Sequence, residues 1–403
     1  MKPLRVLHTV EFYYPSKGGM QEVVRQISER LAEAGHQVTV ATTALPQRTF
    51  DTWRGVTIDE FNVSGNLVKG IRGEVEDYKN FVFHSNFDLV VNFAAQQWAT
   101  DALLPQLNMI KAKKIFVPTG FSALHSYSYR DYYHKMRSWM AEYDMNVFHS
   151  NTYQDIQFAR TQGISNILVI PNGADEREFA TEETIDIRSR YAMDGNHLFI
   201  LHVGSHTGLK GHQEAINIFN TAKIQNATLM IVGDSVSKTC TRACKRRALI
   251  NRFSLTRLRS GKRLIMADFS RRETVSAFRQ ADLFLFPSHV ECSPLVLFEC
   301  LASRTPFLTT DVGNAKEMVE WSQSGVLLPT HQVKTGHARA DISSSARLLE
   351  ELYADPSRRA EMADRGFRTW KERFTWDIIA KAYASLYSSI VSGNSSQSRA
   401  GFH

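Results

Sequence analysis

The sequence predicts an α/β protein built from two doubly wound domains, and three observations support this fold class. The chain has 403 residues, which is more than one hydrophobic core usually serves. Hydrophobic residues make up 43% of the sequence and charged residues 22%, as is typical of a globular protein. Short apolar strand patterns alternate with helical patterns, and this alternation starts a second time near residue 198.

The first half of the chain opens with a strand, a glycine loop, a helix and a second strand. Residues 4–10 form a short run rich in β-forming residues, Gly18 and Gly19 follow it, and apolar residues then recur at helical spacing as far as Ala34. A second strand at 37–42 completes a βαβ unit, which predicts a parallel sheet. Further strands are expected near 88–93, 114–117, 145–149 and 167–170.

The second half repeats the alternation of strands and helices after a turn at 170–173 and a polar stretch to about residue 190. Its strands are expected near 198–204, 228–232, 263–266, 282–286, 306–309 and 326–328. We therefore expect one domain over 1–175, a second over 190–375, a closing helix over 376–391 and a disordered tail over 392–403.

Composition excludes several other classes of protein. The N-terminus has only a short apolar run before Glu11, and no segment approaches the ~18 uncharged residues of a membrane span. We expect a cytoplasmic protein. Four cysteines are too few for a disulfide framework, and Cys240 and Cys244 have no second pair or His-x3-His motif nearby in the sequence. Free thiols, no metal and no bound cofactor are expected.

Positive charge is concentrated in the second half of the chain. Residues 1–175 contain 17 basic and 17 acidic residues, so the net charge of +7 belongs to the remainder. Residues 238–263 hold ten basic side chains and no acidic one. We expect this basic segment to meet an anionic surface, either the inner leaflet of a membrane or a lipid-pyrophosphate acceptor, rather than a nucleic acid. An ordinary solvated face is the alternative.

Two glycine-containing loops follow predicted strands, where doubly wound sheets place their ligands. Gly18 and Gly19 precede a helix whose free amides favour an anion, although an ordinary βα turn is the alternative. The loop from Gly204 through Ser205 to Lys210 surrounds another helix start and suits a diphosphate. It is neither a P-loop nor a dinucleotide-binding fingerprint.

A third loop carries the strongest local signal. Ser293 is a suitable N-cap and Pro294 a suitable first helical residue, so a helix is expected to start here. The amides of Leu295 and Val296 would then face the ligand crevice and could hold a diphosphate.

Two carboxylates flank this helix start. Glu291 lies in the loop before the helix, and Glu299 projects from its second turn. Carboxylates on both sides of a phosphate site can accept hydrogen bonds from sugar and ribose hydroxyl groups. The alternative is structural, because acidic residues near helix starts are common.

The ordered combination of these motifs resembles glycosyltransferase family 4. The landmarks are Gly18–Gly19, residues 34–40, 170–175, Gly204 with Lys210–Gly211, 231–234, Pro287–Ser288 with Glu291 and Glu299, 309–313 and 374–376. The resemblance implies a GT-B fold, in which two Rossmann-like domains face each other across a crevice and a C-terminal helix crosses back to the first domain. It also implies a nucleotide-diphosphate sugar bound by the second domain, an acceptor bound by the first, retention of anomeric configuration and no metal requirement.

The resemblance assigns roles to particular residues. Glu291 would contact the donor-sugar hydroxyls, Glu299 the ribose and Lys210 the diphosphate, with Glu291 and Lys210 taking part in catalysis. The other donor-binding positions it implies are Gly18, Gly19, Gly204, Ser205, Asp268, Leu295 and Val296.

The chain departs from the family pattern at two places. Ser205 stands where the family usually has an arginine, so we expect His206 or a basic residue from 242–263 to supply that positive charge. A histidine usually follows the strand that matches 114–117, and here His125, in a longer loop, is the candidate catalytic histidine. A surface histidine without a catalytic role is the alternative.

The resemblance implies a hexosyltransferase-type enzyme that adds a sugar to a glycan or lipid-linked acceptor, and polysaccharide or glycolipid assembly is the commonest use of the family. A catalytically inactive sugar-nucleotide-binding partner of another transferase is one alternative. A GT-B nucleotide-sugar epimerase is another, but its acid and base carboxylates have no visible counterparts here.

Overall fold

The computed structural model describes residues 2–180, 185–333 and 337–393, without the side chains of 256–258. The chain divides into two compact units, each with its own internal contacts. The first unit comprises 1–172 together with 376–403, and the second comprises 173–375. Residues 394–403, which make up most of the tail expected to be disordered, lie outside the described residues.

The first unit is built on an eight-stranded sheet, counted over its described residues. Its strands, with a separate two-stranded pair β5 and β6, are β1 (Arg5–Thr9), β2 (Gln37–Thr43), β3 (Thr52–Trp53), β4 (Val56–Phe61), β5 (Val63–Asn66), β6 (Gly70–Gly73), β7 (Leu89–Phe93), β8 (Lys113–Val117), β9 (Met145–Phe148) and β10 (Ile167–Val169). The order across the sheet is β10-β9-β8-β7-β1-β2-β4-β3. All neighbours are parallel except β3 and β4.

Helices complete the first unit. They are α1 (Gly19–Glu33), α2 (Val75–His84), α3 (Trp98–Asp101), α4 (Arg130–Glu142), α5 (Gln154–Thr161) and the last helix of the chain, α16 (Trp376–Ser392), with 3₁₀ helices at Leu104–Met109 and Tyr127–Tyr129. Helix α1 buries Val23, Ile27 and Leu31, which are four residues apart and so lie on one face. Gly35, at φ 91°, ends this helix in the left-handed conformation that glycine adopts readily.

The second unit is built on a six-stranded parallel sheet with an additional antiparallel pair. Its strands are β11 (Leu198–Val203), β12 (Ala227–Val232), β13 (Arg263–Ala267), β14 (Leu283–Phe286), β15 (Phe307–Thr309) and β16 (Gly325–Leu327), and the pair is β17 (Thr330–Gln332) and β18 (Ala338–Ala340). The order is β13-β12-β11-β14-β15-β16. The central strands are buried on both faces, as helices on either side of a parallel sheet require.

Ten helices belong to the described part of the second unit. They are α6 (Glu176–Phe179), α7 (Ile187–Arg190), α8 (His212–Thr221), α9 (Lys238–Arg252), α10 (Leu255–Ser260), α11 (Arg271–Gln280), α12 (Leu295–Ala302), α13 (Ala315–Ser322), α14 (Ile342–Ala354) and α15 (Pro356–Arg373). The first two lie in the polar stretch before residue 190. Phe179 and Ile187 anchor them in the hydrophobic core, so this stretch packs as part of the second unit.

The order of strands in the second unit reverses direction between β11 and β14, which are neighbours. In a doubly wound sheet, the loops after two such strands leave the same edge side by side. Here those loops are residues 204–211, which lead into α8, and residues 287–294, which lead into α12. The sheet topology therefore brings two of the sequence-predicted loops together.

Candidate functional site

Lys210 and Glu291 form an ion pair at this edge of the second sheet. The ammonium nitrogen of Lys210 lies 2.7 Å from Oε1 and 3.0 Å from Oε2 of Glu291. The hydroxyl group of Ser288 donates to Oε1 of the same carboxylate at 2.7 Å. The Glu291 side chain is 9% exposed and that of Lys210 is 30% exposed, so the carboxylate is nearly buried and the lysine is the more accessible partner of the pair.

Close backbone packing holds the two loops against each other. Gly211 adopts φ 71°, and a Cβ atom placed on it would lie 1.8 Å from the carbonyl oxygen of Pro287. Any other residue would therefore push the two loops apart. Gly313 adopts φ 58°, and a Cβ atom added to it would lie only 2.2 Å from the carbonyl oxygen of Cys292, so a side chain would clash here too. These glycines position the segment that carries Glu291.

The start of α12 differs by one residue from the sequence prediction. Pro294, and not Ser293, is the N-cap residue, and the helix begins at Leu295. The Ser293 hydroxyl oxygen instead accepts a hydrogen bond from the Asn314 side-chain amide at 3.0 Å. Because Leu295 and Val296 occupy the first turn, their amides have no acceptor within the helix. Both amides therefore stand at the helix start, and their role in anion binding stays a prediction.

Glu299, in the second turn of α12, forms an ion pair with Arg271. The distance from Arg271 Nη2 to Glu299 Oε1 is 2.6 Å, and the same nitrogen lies 2.6 Å from Glu178 Oε2. Burial disfavours the charged guanidinium, but Glu299 and Glu178 outweigh it and raise the pKa of Arg271 above its usual range. Arg271 is thus a permanent cation between two carboxylates.

Sequence reasoning did not select Arg271. The local signal for its helix was clear, because Ser270 and Glu273 form a capping box at the start of α11. No local feature indicates that the first residue of α11 meets the second turn of α12. The contact exists because both helices pack against the same sheet, so only the fold brings these residues together.

The other residues predicted to bind the donor in the second unit lie in loops after strands. Gly204 directly follows β11, and Ser205 is half-buried beside it. Asp268 directly follows β13 and is exposed. His206, expected to replace the missing arginine charge, is buried, and its Nδ1 lies 3.5 Å from the sulfur of Cys240. Burial lowers the pKa of His206, which disfavours the cationic form that this role needs.

The remaining predicted site residues belong to the first unit. Gly18 and Gly19 stand at the start of α1, and a Cβ atom on Gly19 would meet no atom within 4 Å. His125 is exposed in a turn after β8 and stays a prediction. Two loops at the same sheet edge carry non-glycine residues with positive φ, Gln96 at 65° and Thr119 at 58°. This backbone conformation, which left no signal in the sequence, also occurs at Arg54, Ala192, Asn226, Arg304 and Gln323, so it does not by itself identify a functional loop.

The basic segment 238–263 is not uniformly exposed. Lys262 is buried and donates to the carbonyl oxygens of Asn220 and Ala222 at 3.2 and 2.7 Å. Arg263 donates to the Tyr191 carbonyl at 2.7 Å. These two cations stabilise the second unit and do not form an open charged face. This corrects the interpretation of all ten basic residues as one surface.

The rest of the segment combines exposed charge with exposed apolar side chains. The exposed basic residues among those described are Lys238, Arg242, Lys245, Arg246, Arg252 and Arg259. The exposed large apolar residues are Leu249, Ile250, Phe253 and Leu255. None of the helices within the described ranges has the length and apolar character needed to span a membrane.

Comparison with known families assigns the class of this protein. The model described as Glycosyl transferases group 1 matches residues 183–368, and the model Glycosyltransferase Family 4 matches residues 17–178. With its two units of parallel sheet and helices, the chain is a glycosyltransferase of the GT-B fold. It belongs to glycosyltransferase family 4, as the ordered motifs indicate.

Relatives and solved structures agree with this assignment. The chain is 22% identical over 390 residues to N-acetyl-alpha-D-glucosaminyl L-malate synthase of Bacillus anthracis, covering 93% of this chain and 94% of the relative. It is 20% identical to O-antigen chain mannosyltransferase C of Escherichia coli, covering 97% and 100%. The structure of HepE of Anabaena in complex with UDP matches with a TM-score of 0.74 at 15% identity, covering 96% of this chain and 100% of HepE.

The fold predicted from the sequence is therefore confirmed, including the closing helix. Helix α16 belongs to the first unit although the second unit precedes it in the chain. Its Tyr387 hydroxyl group lies 3.1 Å from Nε2 of His8 on β1.

Proposed function

We propose that this glycosyltransferase moves a hexosyl group from a nucleotide-diphosphate sugar to a hydroxyl group of a glycan or lipid-linked acceptor, with retention of anomeric configuration and without a catalytic metal. The main observation that supports this proposal is the ion pair between Lys210, which precedes α8, and Glu291, which precedes α12. The Lys210 ammonium nitrogen lies 2.7 Å from Oε1 of Glu291, at the edge where β11 and β14 lie side by side. This arrangement puts a cation, helix amides and a carboxylate within reach of one sugar diphosphate.

Lys210 can bind the diphosphate while it keeps its ion pair with Glu291. An ammonium group has three N–H donors, and two of them are directed at the carboxylate oxygens of Glu291. The third can donate to a phosphate oxygen as negative charge develops on the leaving diphosphate. The amides of Leu295 and Val296, with the positive end of the α12 dipole, add to this stabilisation.

Glu291 and Glu299 would act on different parts of the donor. Glu291 would accept hydrogen bonds from the sugar hydroxyls, next to the carbon at which the bond breaks. Glu299 uses Oε1 for Arg271, and we assign Oε2 to the ribose hydroxyls. Arg271 fixes the orientation of this carboxylate.

The two units would divide the substrates between them. We assign the donor mainly to the second unit, at the loops after β11 and β14, and the acceptor mainly to the first unit, at the loops after β7 and β8. The complex of HepE with UDP supports a nucleotide donor, and O-antigen chain mannosyltransferase C supports a glycan acceptor. Exposed basic and apolar residues on α9 support peripheral contact with an anionic membrane, which fits a lipid-linked acceptor.

Glu291→Gln and Glu299→Gln should have different kinetic effects. Ribose contacts are the same in substrate and transition state, so Glu299→Gln should weaken nucleoside-diphosphate binding by about 1–3 kcal/mol with little change in kcat. Contacts to the reacting sugar strengthen in the transition state, so Glu291→Gln should lower kcat more than affinity. A thermal-shift panel would first identify the nucleotide, and calorimetry and turnover assays would then compare the variants.

Glu372→Gln, at an exposed position of α15, is the matched control and should behave as the parent protein. Equal affinity losses in the two site variants, or full activity in either, would contradict the assigned roles. Donor hydrolysis or transfer that is lost in Glu291→Gln separates an enzyme from an inactive sugar-nucleotide-binding partner. NMR of the product's anomeric proton tests retention, and activity in the presence of a chelator tests metal independence.

A further inference from the structure

Two cysteines and two histidines come together between the start of α9 and the loop after β11. Nδ1 of His206 and the sulfur atoms of Cys240 and Cys244 all lie within 4.8 Å of one another. Nδ1 of His212 lies 3.9 Å from the sulfur of Cys240. Cys240 and Cys244 are one helical turn apart on α9, whereas the two histidines lie 28 or more residues earlier, so only the fold assembles the group.

We propose that this cluster binds one zinc ion, a site distinct from the donor-binding residues and independent of the proposed function. Tetrahedral zinc with Zn–S of about 2.3 Å and Zn–N of about 2.05 Å separates sulfur from nitrogen by about 3.6 Å and two sulfurs by about 3.8 Å. The His206 to Cys240 distance is 3.5 Å, and the His212 to Cys240 distance is 3.9 Å. These two sulfur–nitrogen distances are close to the edge of a coordination tetrahedron. The rings of His206 and His212 are stacked with their centroids 4.1 Å apart, so metal binding would require the two imidazoles to turn toward the sulfur atoms.

The surroundings orient these side chains as metal ligands. Nε2 of His212 lies 3.0 Å from the Gly204 carbonyl oxygen, which can only accept, so Nε2 carries the proton. The lone pair of Nδ1 then points toward Cys240, and a backbone carbonyl behind a histidine is the usual support for a metal ligand. The Gln213 amide donates to the sulfur of Cys244 at 3.2 Å, which also orients that sulfur.

The chemistry of the group favours a soft transition metal. Two thiols and two imidazoles select zinc over magnesium or calcium, which need oxygen ligands. On binding, two Zn–S bonds form, two S–H bonds break and both protons leave to solvent. Exposed Lys238, Arg242 and Lys245 surround the start of α9, and positive charge stabilises the thiolates that result.

A metal here would tie α9 to the loop that carries Ser205 and Lys210. Backbone hydrogen bonds already connect the two segments, since His206 donates to the Asp234 carbonyl at 2.9 Å and accepts from Ser237 at 2.6 Å. Zinc would add a cross-link at the same place. The site is therefore structural, and its ligands include no residue that we assign to the donor.

Cobalt titration of the full chain, after removal of metal with a chelator, tests the proposal. We expect one Co²⁺ per chain, with the thiolate charge-transfer band and visible bands of tetrahedral cobalt, both removed by one equivalent of Zn²⁺. Cys240→Ser and Cys244→Ser should abolish the charge-transfer band, and Gln213→Leu should weaken cobalt binding about 10–100-fold. Cys292→Ser is the matched control and should keep the spectrum.

Alkylation of the unmodified chain gives a second readout that does not depend on the folding of a variant. Zinc should protect Cys240 from iodoacetamide, measured by peptide mass spectrometry, while the labelling of Cys292 stays unchanged. No cobalt spectrum in the parent protein, an unchanged spectrum in the cysteine variants, or formation of a Cys240–Cys244 disulfide in the presence of excess zinc would overturn the proposal. Loss of transferase activity alone would bear only on the proposed function.

Discussion

Among single residues, Arg271 has the most demanding position in the donor region. Its guanidinium forms ion pairs with two carboxylates, those of Glu178 and Glu299. The Glu299 side chain is only 9% exposed. A nearly buried carboxylate without a cation loses solvation that nothing replaces. Arg271 therefore contributes both to the stability of the second unit and to the orientation of Glu299.

Arg271→Gln should lower the free energy of unfolding of the second unit by about 1–3 kcal/mol, because Glu299 would lose its charged partner. The half-exposed arginine keeps this loss below that of a fully buried pair. Arg190→Gln, which breaks an exposed pair with Glu273 in the same unit, is the matched control and should cost less than 1 kcal/mol, as about that much is typical of surface pairs. Urea unfolding would compare the two, and equal losses would show that Glu299 does not depend on Arg271.

His8 is a buried residue whose charge state makes the first unit sensitive to acid. Its Nδ1 lies 2.7 Å from the Ser28 hydroxyl and its Nε2 3.1 Å from the Tyr387 hydroxyl. Burial lowers the pKa of His8 to about 3. The unfolded chain binds a proton below pH ~6.5 while the folded chain does not, so stability falls as pH drops from 6.5 toward 3.

His8→Gln should flatten this pH dependence. Between pH 6.5 and 4 the parent protein should lose on the order of 3 kcal/mol through this residue, and the variant should not. Burial raises the pKa of Asp101 and of Asp155 to about 6, so these two carboxyl groups make stability rise as the pH falls. Both are present in the parent protein and in His8→Gln, so their effect cancels when the two proteins are compared. Urea unfolding at several pH values measures this difference in the free energy of unfolding, and His84→Gln, at an exposed position, is the control. Identical pH profiles for the parent protein and His8→Gln would contradict the prediction.

At the scale of elements, the last helix, α16, packs against α1 and contacts β1 through Tyr387. Trp376, Tyr383 and Tyr387 are buried, and each removes a large apolar surface from water. The two tyrosines differ in their polar ends. The Tyr387 hydroxyl contacts His8, whereas the Tyr383 hydroxyl has no hydrogen-bond partner among the described residues.

Tyr387→Phe and Tyr383→Phe should therefore affect stability in different ways. Tyr387→Phe leaves Nε2 of His8 buried without a partner and should cost about 1–3 kcal/mol. Tyr383→Phe removes a hydroxyl group that is already unsatisfied, so it should be neutral or slightly stabilising. Thermal unfolding of the two variants checks this, and each serves as the control for the other. A larger loss in Tyr383→Phe would mean that its hydroxyl is satisfied in solution.

At the scale of the whole molecule, positive charge and exposed apolar side chains occur together in the segment of α9 and α10. The net charge of +7 belongs entirely to residues 176–403, and six exposed basic residues of the basic segment accompany Leu249, Ile250, Phe253 and Leu255. Electrostatic attraction to anionic lipid is worth about 1 kcal/mol for each basic residue near the surface. Apolar side chains beside the charges can enter the headgroup region once the protein is bound.

Replacing Arg242, Lys245 and Arg246 by glutamate should weaken sedimentation with vesicles of phosphatidylglycerol and phosphatidylcholine, because attraction becomes repulsion. The parent protein should sediment less at high salt and with phosphatidylcholine alone. The matched control makes the same change of charge at three exposed basic residues of α15, Arg358, Arg368 and Lys371. Equal sedimentation of both triple variants would show that α9 is not the contact surface.

The sequence by itself determined the fold class, most strands and the main site motifs. Apolar periodicity depends on neighbours a few residues apart, so strands such as Leu89–Phe93 and Ala227–Val232 are visible locally. Strands β3, β5 and β6 were not predicted because β3 has only two residues, at the sheet edge, and β5 and β6 form a separate short pair that contains Gly65, Gly70 and Gly73. The six-residue β4, inside the sheet, was also not predicted. Lys210, Glu291 and Glu299 could be selected as site residues because they stand in ordered motifs, and their roles stay predictions.

Only the tertiary structure decided which of these side chains meet. The Lys210 and Glu291 pair spans 81 residues, and it depends on β11 and β14 being neighbours in the sheet. Arg271 reaches Glu299 because α11 and α12 pack on the same sheet. His206 reaches Cys240 because β11 and β12, the strands that precede them, are neighbours in that sheet. Strand order and helix packing come from the burial of many residues at once, so no local pattern encodes such contacts.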